Sequence, residues 1–252
     1  MMIKAGDVGL YYERYGTGEP VIFSHGWLDD CSVWRAQADG VAKSHTVILY
    51  DLRGHGRSEK PSGDYSVQVF ADDLNSLVRA LELEKVTLVG FSLGGMLSLL
   101  FTLQNPGRVS KLVLVGAAAK MPKRAHVLGA MMRLVGHRTL LKTILVKFRF
   151  FKPSRSIVDA FMSKAMLVPK EVARDSFREF TNHYDIRNRI PEIRVPTLLV
   201  VGEKDIGVPI KCSRSLSKGI EGSRLHIIPG SGHEVMVDKP DQLNGLLGDF
   251  LK

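Results

Sequence analysis

Short apolar runs alternate with segments of helical periodicity along most of the chain. The runs are rich in Val, Ile and Leu, which is typical of strands buried on both faces of a sheet. They cover residues 21–23, 46–50, 86–89, 109–115, 195–201 and 225–229, and residues 10–15 are interpreted as an earlier strand. Apolar positions recur at helical spacing in residues 65–83 and 241–251, and the composition of residues 33–43 and 96–104 also suits helices. This alternation predicts an α/β domain with a mostly parallel sheet flanked by helices.

The alternation stops between residues 120 and 185. This stretch contains helical segments with Met, Phe, Lys and Arg in place of the short apolar runs. An insertion at this point would lie over the carboxyl ends of the strands, as a cap. We therefore predict an α/β core formed by residues 1–119 and 186–252, with a helical cap formed by residues 120–185.

The 252 residues carry a formal net charge of +9. A basic balance suits nucleic acid or an anionic surface, but the sequence has no nucleic-acid-binding motif, so we do not expect a nucleic-acid partner. The N-terminus does not resemble a signal peptide and no apolar stretch reaches about 18 residues, which predicts a soluble cytoplasmic protein. Cys31 and Cys212 lack metal-ligand spacing, so free thiols and no metal site are expected.

A glycine-flanked serine occupies the junction between a predicted strand and a predicted helix. The segment is Gly90-Phe91-Ser92-Leu93-Gly94. At such a corner the serine backbone is strained, and small neighbours give it room, so that the hydroxyl is held out for attack. The alternative is an ordinary helix N-cap, because serine also suits that position. We interpret Ser92 as a nucleophile because suitable partners follow it in the chain.

Two later loops supply those partners. Asp205 follows the predicted strand 195–201, and His233 follows the predicted strand 225–229. The order Ser92, Asp205, His233 is that of one particular catalytic fold. Glu203 competes for the role of the acid, but it lies nearer the strand and is expected to be solvated. We interpret the remaining histidines as structural or solvated.

The loop after residues 21–23 is predicted to complete the site. The backbone N–H groups of Trp27 and Leu93 are expected to face the oxygen that becomes negative when Ser92 attacks a carbonyl group. His25 in the same loop could be a base, but its strand precedes the nucleophile, which favours a structural role. Asp51, Arg53 and His55 could form an acid-base cluster. Charges separated by glycine more often stabilise a turn.

These motifs together resemble the α/β-hydrolase superfamily, within the group of small capped esterases, enol-lactonases and cofactor-free haloperoxidases or perhydrolases. The resemblance covers nearly the whole chain apart from the cap. It is carried by residues 25–27, 51–58, 90–95, 202–205 and 232–233. It implies an eight-stranded, mostly parallel sheet with the cap after the sixth strand, a catalytic triad and no cofactor. Similar epoxide hydrolases and haloalkane dehalogenases carry aspartate at the elbow, so Ser92 argues against those reactions.

The expected reaction is cleavage of carboxylic esters with small to medium apolar acyl groups, through an acyl-enzyme. Lactone hydrolysis or perhydrolysis is the alternative within this class, and a ligand receptor with a residual triad is the alternative outside it. Apolar cap residues could line an acyl pocket or could simply pack the cap onto the core. The candidates for the pocket are Met121, Leu128, Met132, Phe161 and Met166.

The cap also suggests a membrane contact. Residues 85–158 contain no Asp or Glu, and Arg138, Lys142 and Arg149 recur at spacing that puts them on one helical face. A basic amphipathic lid could settle on anionic lipid and bring lipophilic esters to Ser92. An ordinary cap with solvated charges explains the same pattern, and we favour that interpretation.

Overall fold

The predicted apolar runs form the strands of one sheet. The computed structural model describes residues 1–123, 125 and 146–252, and for residues 147 and 148 it describes the backbone alone. Eight strands are present in these ranges. They are β1 Met2–Ala5, β2 Val8–Tyr15, β3 Pro20–Ser24, β4 Thr46–Tyr50, β5 Val86–Phe91, β6 Val109–Val115, β7 Thr197–Gly202 and β8 Arg224–Ile228.

The strand order is β1-β2-β4-β3-β5-β6-β7-β8. Strand β1 pairs with β2 and β2 with β4 in the antiparallel sense, and the pairs from β4 to β8 are parallel. The mostly parallel eight-stranded sheet is therefore confirmed. The apolar pattern did not predict β1, because this edge strand is largely exposed and lacks an apolar run. Strand β5 lies at the centre, and all of its residues are buried.

Helices cover both faces of the sheet. In chain order they are α1 Arg35–Val41, α2 Val67–Ala80, α3 Leu93–Gln104, α4 Val146–Arg149, α5 Arg155–Ala165, α6 Lys170–Asn182, α7 Ile210–Gly219, α8 Val235–Asp238 and α9 Pro240–Leu251. Short 3-10 turns occupy Cys31–Trp34 and Ile190–Glu192. Within the described ranges, none of these helices combines the length and the apolar character needed to cross a membrane.

The core has one layer on each face of the sheet. Leu74 of α2 and Phe101 of α3 belong to the first layer. Leu247 of α9 belongs to the second layer, together with Trp34 of the first 3-10 turn. Fully burying a side chain of this kind stabilises the fold by about 1.5–3 kcal/mol. Burial on both faces explains why β3, β4, β5 and β7 are nearly continuous apolar runs without alternation.

Helices α4, α5 and α6 lie between β6 and β7, within the predicted cap segment. Lys120 and Asp185, the two ends of that segment, form an isolated antiparallel bridge and an ion pair of 2.8 Å. Ser154 starts α5 by accepting a hydrogen bond from the Ile157 N–H. The chain therefore leaves and re-enters the sheet region at neighbouring points. The cap boundaries themselves stay a prediction.

Arg149 does not lie on the solvated basic face that was predicted for the cap. Its side chain is 8% exposed and forms ion pairs with Asp29 and Glu234, so it does not share a solvated surface. Charge spacing along one helix could not reveal partners that lie far away in the sequence. Arg138 and Lys142, the other two members of the face, lie outside the described residues.

Candidate active site

Ser92 sits between the end of β5 and the start of α3. Its backbone has φ 52° and ψ −112°, a conformation that costs a non-glycine residue about 1–3 kcal/mol. Its N–H donates to the Val115 carbonyl at 2.9 Å, which ties the corner to the neighbouring strand. Ser92 precedes the helix, but its side chain makes no capping hydrogen bond. The interpretation of Ser92 as a side-chain N-cap is therefore wrong, and within the described ranges its hydroxyl has no hydrogen-bond partner.

Close backbone contacts explain the two flanking glycines. A Cβ atom on Gly94 would overlap the carbonyl oxygen of Ser24, and one on Gly90 would overlap the carbonyl oxygen of Gly94. A larger residue at either position would push the helix away from the strand. The corner that strains Ser92 thus requires glycine at both positions.

His233 and Asp205 lie together on the loops that follow β8 and β7. The Nδ1 atom of His233 is 2.7 Å from Oδ2 of Asp205, and both side chains are buried. The other carboxylate oxygen, Oδ1, accepts the Val208 N–H at 2.7 Å. An ionised carboxylate only accepts hydrogen bonds, so Nδ1 carries the proton and Nε2 is left as the acceptor. The arrangement keeps the imidazole in the tautomer that a general base requires.

The imidazole of His233 also adjoins the serine corner. Its ring centroid lies 4.8 Å from that of Phe91, the residue before Ser92. A Cβ atom on Gly116, at the end of β6, would lie 2.9 Å from Nδ1. The sheet therefore brings the ends of β5, β6, β7 and β8 to one place, as expected for a site at the carboxyl edge of parallel strands.

Glu203, the competing carboxylate, lies elsewhere. It accepts the Gly230 N–H at 3.2 Å and pairs with Lys204 at 3.4 Å on the surface. The Gly230 hydrogen bond, followed by the Lys204 interaction, lowers the pKa of Glu203. The structure thus brings Asp205, and not Glu203, into contact with His233.

Residues 26–29 form a turn, the Trp27 turn, which lies beside Ser92 at the junction of β5 and α3. A Cβ atom on Gly26 would be 3.4 Å from the Cβ of Ser92. In the part of the chain that the structure describes, neither the Trp27 N–H nor the Leu93 N–H donates to a protein acceptor. The indole N–H of Trp27 donates to the Ala173 carbonyl at 3.2 Å and to Ser176 at 3.1 Å. The turn is therefore fastened to α6 through the Trp27 side chain.

His25 has a structural role in this turn. Its Nδ1–H donates to the Gly26 carbonyl at 2.8 Å, and its Nε2 accepts the Leu52 N–H at 3.0 Å. Both ring nitrogens are used and the ring is fully buried. The geometry leaves His25 no nitrogen with which to act as a base.

The Asp51, Arg53 and His55 loop is likewise held by internal bonds. Asp51 accepts the Cys31 N–H at 2.8 Å and the Arg57 N–H at 2.7 Å. Arg53 makes two hydrogen bonds to Asp73. Burial is the largest cause that lowers the pKa of His55, to about 3. These residues form a turn and not an acid-base centre.

A buried ionic cluster beside the site was missed by sequence reasoning. Arg149 pairs with Glu234 and with Asp29, and Asp29 also pairs with Lys164. Burial raises the pKa of Glu234, although Arg149 opposes the rise, whereas Lys164 and Arg149 outweigh burial and lower the pKa of Asp29. None of these four residues belongs to a recognisable motif in its own segment. No local pattern could have identified the cluster.

Three of the five predicted pocket residues are described. Phe161 is 2% exposed and packs against Phe150, with ring centroids 5.8 Å apart. Met121 is partly buried and packs against the core. Met166 is partly buried at the end of α5. The contacts of these three side chains are compatible both with packing of the cap onto the core and with contact to a substrate. Leu128 and Met132 lie outside the described residues.

The described residues contain no group of three or more His, Cys, Asp or Glu side chains that could hold a metal ion. The candidate site combines a strained serine, a buried histidine-carboxylate pair and two backbone N–H groups that donate to no acceptor in the described ranges. Such groups can attack a carbonyl carbon, transfer a proton and stabilise an oxyanion.

Comparisons with known proteins agree with the observed fold. The family model for the alpha/beta hydrolase fold matches residues 19–139. An AB hydrolase superfamily protein from Bacillus subtilis, YisY, is 30% identical over 255 residues, which cover 96% of this chain and 95% of the relative.

Two solved structures resemble the whole chain. The esterase EaEST from Exiguobacterium antarcticum is 27% identical with a TM-score of 0.92, and the match covers 100% of this chain and 98% of that one. Est816, described as an N-acyl homoserine lactone degrading enzyme, is 27% identical with a TM-score of 0.90, over 99% and 100% of the two chains. On its fold and on these full-length matches, the chain belongs to the α/β-hydrolase superfamily.

Proposed function

We propose that this hydrolase cleaves carboxylic esters of small to medium apolar acyl groups, with Ser92 as nucleophile, His233 as base and Asp205 as the orienting acid. The observation that carries the proposal is the buried 2.7 Å contact between His233 Nδ1 and Asp205 Oδ2, next to the strained corner that presents Ser92. A solvated or purely structural histidine does not need a buried carboxylate partner at this place. Similarity to a solved esterase supports the same reaction.

The first half-reaction forms an acyl-enzyme. His233 Nε2 takes the proton from the Ser92 hydroxyl as its oxygen attacks the ester carbonyl carbon, and Asp205 stabilises the resulting imidazolium. The Trp27 and Leu93 N–H groups donate to the carbonyl oxygen, which becomes negative. The imidazolium then gives its proton to the leaving alcohol as the carbon–oxygen bond breaks.

The second half-reaction releases the acid. His233 removes a proton from water, whose oxygen attacks the acyl carbon, and the tetrahedral intermediate collapses as the proton passes to Ser92. The acid leaves and the hydroxyl is restored. No proton or electron pair is left over after the cycle.

A serine-directed fluorophosphonate and a series of p-nitrophenyl esters of increasing acyl length test the proposal together. We expect labelling at Ser92 and ester turnover that varies with acyl length. A chain that takes no label and turns over none of the esters would instead support a ligand receptor on the same fold.

Lactone hydrolysis is the second candidate, because similarity to Est816 favours it. A lactone is an internal ester, so the same steps open its ring, and the alcohol leaves while still attached to the acyl group. An N-acyl homoserine lactone should be compared with a linear ester of the same acyl length. A higher kcat/KM for the lactone would make lactone hydrolysis the preferred activity.

A further inference from the structure

The buried ionic cluster connects the segment after β6 with two loops of the candidate site. It consists of Arg149, Asp29, Glu234 and Lys164, of which the first three are buried and Lys164 keeps 18% of its side chain exposed. Asp29 is the last residue of the Trp27 turn, and Glu234 follows His233 directly. Two positive and two negative charges balance one another, so the cluster can stay ionised away from water.

Arg149 bonds to both loops at once. Its guanidinium Nη1 donates to the Trp27 carbonyl at 2.7 Å, and its own carbonyl accepts the His233 N–H at 2.8 Å and the Glu234 N–H at 3.1 Å. The guanidinium carbon also lies 5.6 Å from the centre of the Phe91 ring, next to Ser92. One residue thus touches the segments that carry the predicted oxyanion donor, nucleophile and base.

The hydrogen bond from Arg149 to the Trp27 carbonyl stabilises a turn whose backbone is strained. The turn is closed by the Asp29 N–H, which donates to the Gly26 carbonyl at 3.3 Å, and Leu28 has φ 63°. Leucine avoids this left-handed region, and a flip of the Trp27–Leu28 peptide to a type I turn would relieve the strain. Such a flip would turn the Trp27 carbonyl away from Arg149. The Arg149 hydrogen bond therefore opposes the relaxation of the turn.

We propose that Arg149 is a positioning residue that holds the Trp27 turn and the His233 loop in the geometry needed for acyl transfer. The inference rests on the proposed function and adds to it a residue outside the triad. Arg149 acts through Trp27 and His233 and does not touch the reacting atoms. Its planar guanidinium can donate to the Trp27 carbonyl and to both carboxylates together, which a lysine ammonium on a flexible stem cannot reproduce.

The simpler alternative is that Arg149 only neutralises the buried carboxylates. Arg149→Lys keeps the positive charge and loses the planar fork. The double variant Arg149→Met/Glu234→Gln removes one charge of each sign, which leaves Asp29 paired with Lys164 and the cluster neutral. A neutralising role predicts that both proteins keep the parental kcat, whereas a positioning role predicts that both lose it.

Steady-state kinetics on a p-nitrophenyl ester, with the rate of fluorophosphonate labelling at Ser92, test the inference. We expect kcat and the labelling rate to fall by about 10- to 100-fold in both proteins, because small misplacements of catalytic groups cost about that much. KM should stay within about threefold, because the lost contact acts on the transition state. Circular dichroism should show that both proteins are folded.

Matched controls come from an exposed pair on α5, where Arg155 lies 3.8 Å from Asp159. Arg155→Lys and Arg155→Met/Asp159→Asn should keep the parental kcat and labelling rate. Folded Arg149 variants with parental kcat and labelling would overturn this inference and leave the proposed function intact. A parental protein that is neither labelled nor active would overturn both.

Discussion

The Cα atom of Gly116 faces the imidazole of His233 so closely that a methyl group on it would lie 2.9 Å from Nδ1. Gly116 also has φ 56°, a conformation that alanine avoids. The end of β6 thus limits where the imidazole can lie relative to Asp205 and Ser92.

We expect Gly116→Ala to push the imidazole away from Asp205. Ester kcat should fall by about 10- to 100-fold, since displaced catalytic groups lose roughly that factor. Gly107→Ala is the matched control, because a Cβ atom there meets nothing within 4 Å. Parental kcat in Gly116→Ala would mean that the imidazole is not confined by β6.

Replacing Ser92 tests the nucleophile. Ser92→Ala should lower ester kcat by about 10⁴-fold or more and abolish fluorophosphonate labelling, because members of a triad act as a unit. Ser24→Ala is the control, since this buried hydroxyl at the end of β3 bonds to the Tyr50 hydroxyl, 3.0 Å away. Near-parental turnover in Ser92→Ala would refute the assignment.

Amide substitutions can distinguish the roles of Asp205 and Glu203, the two carboxylates that follow β7. Asp205→Asn should lower kcat by about 10⁴-fold, because an amide favours the wrong imidazole tautomer. Glu203→Gln removes a surface carboxylate that bonds to Gly230 and should leave kcat near the parental value. The opposite pattern would mean that the base takes its partner from another carboxylate.

Stability should depend on pH through His55. Its pKa is lowered to about 3 by burial and by His25, whereas an unfolded histidine titrates near about 6.5. Between these values the unfolded chain binds more protons, so the contribution of His55 to the unfolding free energy falls with falling pH, by up to about 1.4 kcal/mol per pH unit.

Urea unfolding of His55→Gln and the parental protein at pH 7, 6 and 5 measures this contribution. The variant should be the less stable of the two at pH 7, because the ring packs against Phe70 with centroids 6.3 Å apart. Its deficit should narrow toward pH 5. The exposed His226→Gln is the control for loss of an imidazole, and a constant deficit in His55→Gln would contradict the expectation.

Local patterns were sufficient to predict the parallel framework and to identify candidates for a triad. Strands β3, β4, β5 and β7 are short apolar runs because nearly all of their residues are buried, and that requirement is visible residue by residue. Ser92 was identifiable because the close packing of strand and helix demands glycine on both sides of it. The order of Ser92, Asp205 and His233 added the remaining information, since chain order follows from the order of the parallel strands.

Contacts between distant segments were decided by the tertiary structure alone. The choice of Asp205 over Glu203 as the partner of His233 depends on which carboxylate the loop turns inward, and both follow the same strand. Arg149 seemed to belong to a solvated basic face, yet its partners Asp29 and Glu234 lie 120 and 85 residues away. A buried charge is stable only beside its counter-charges, and the sequence of a single helix cannot say where the fold will bring them.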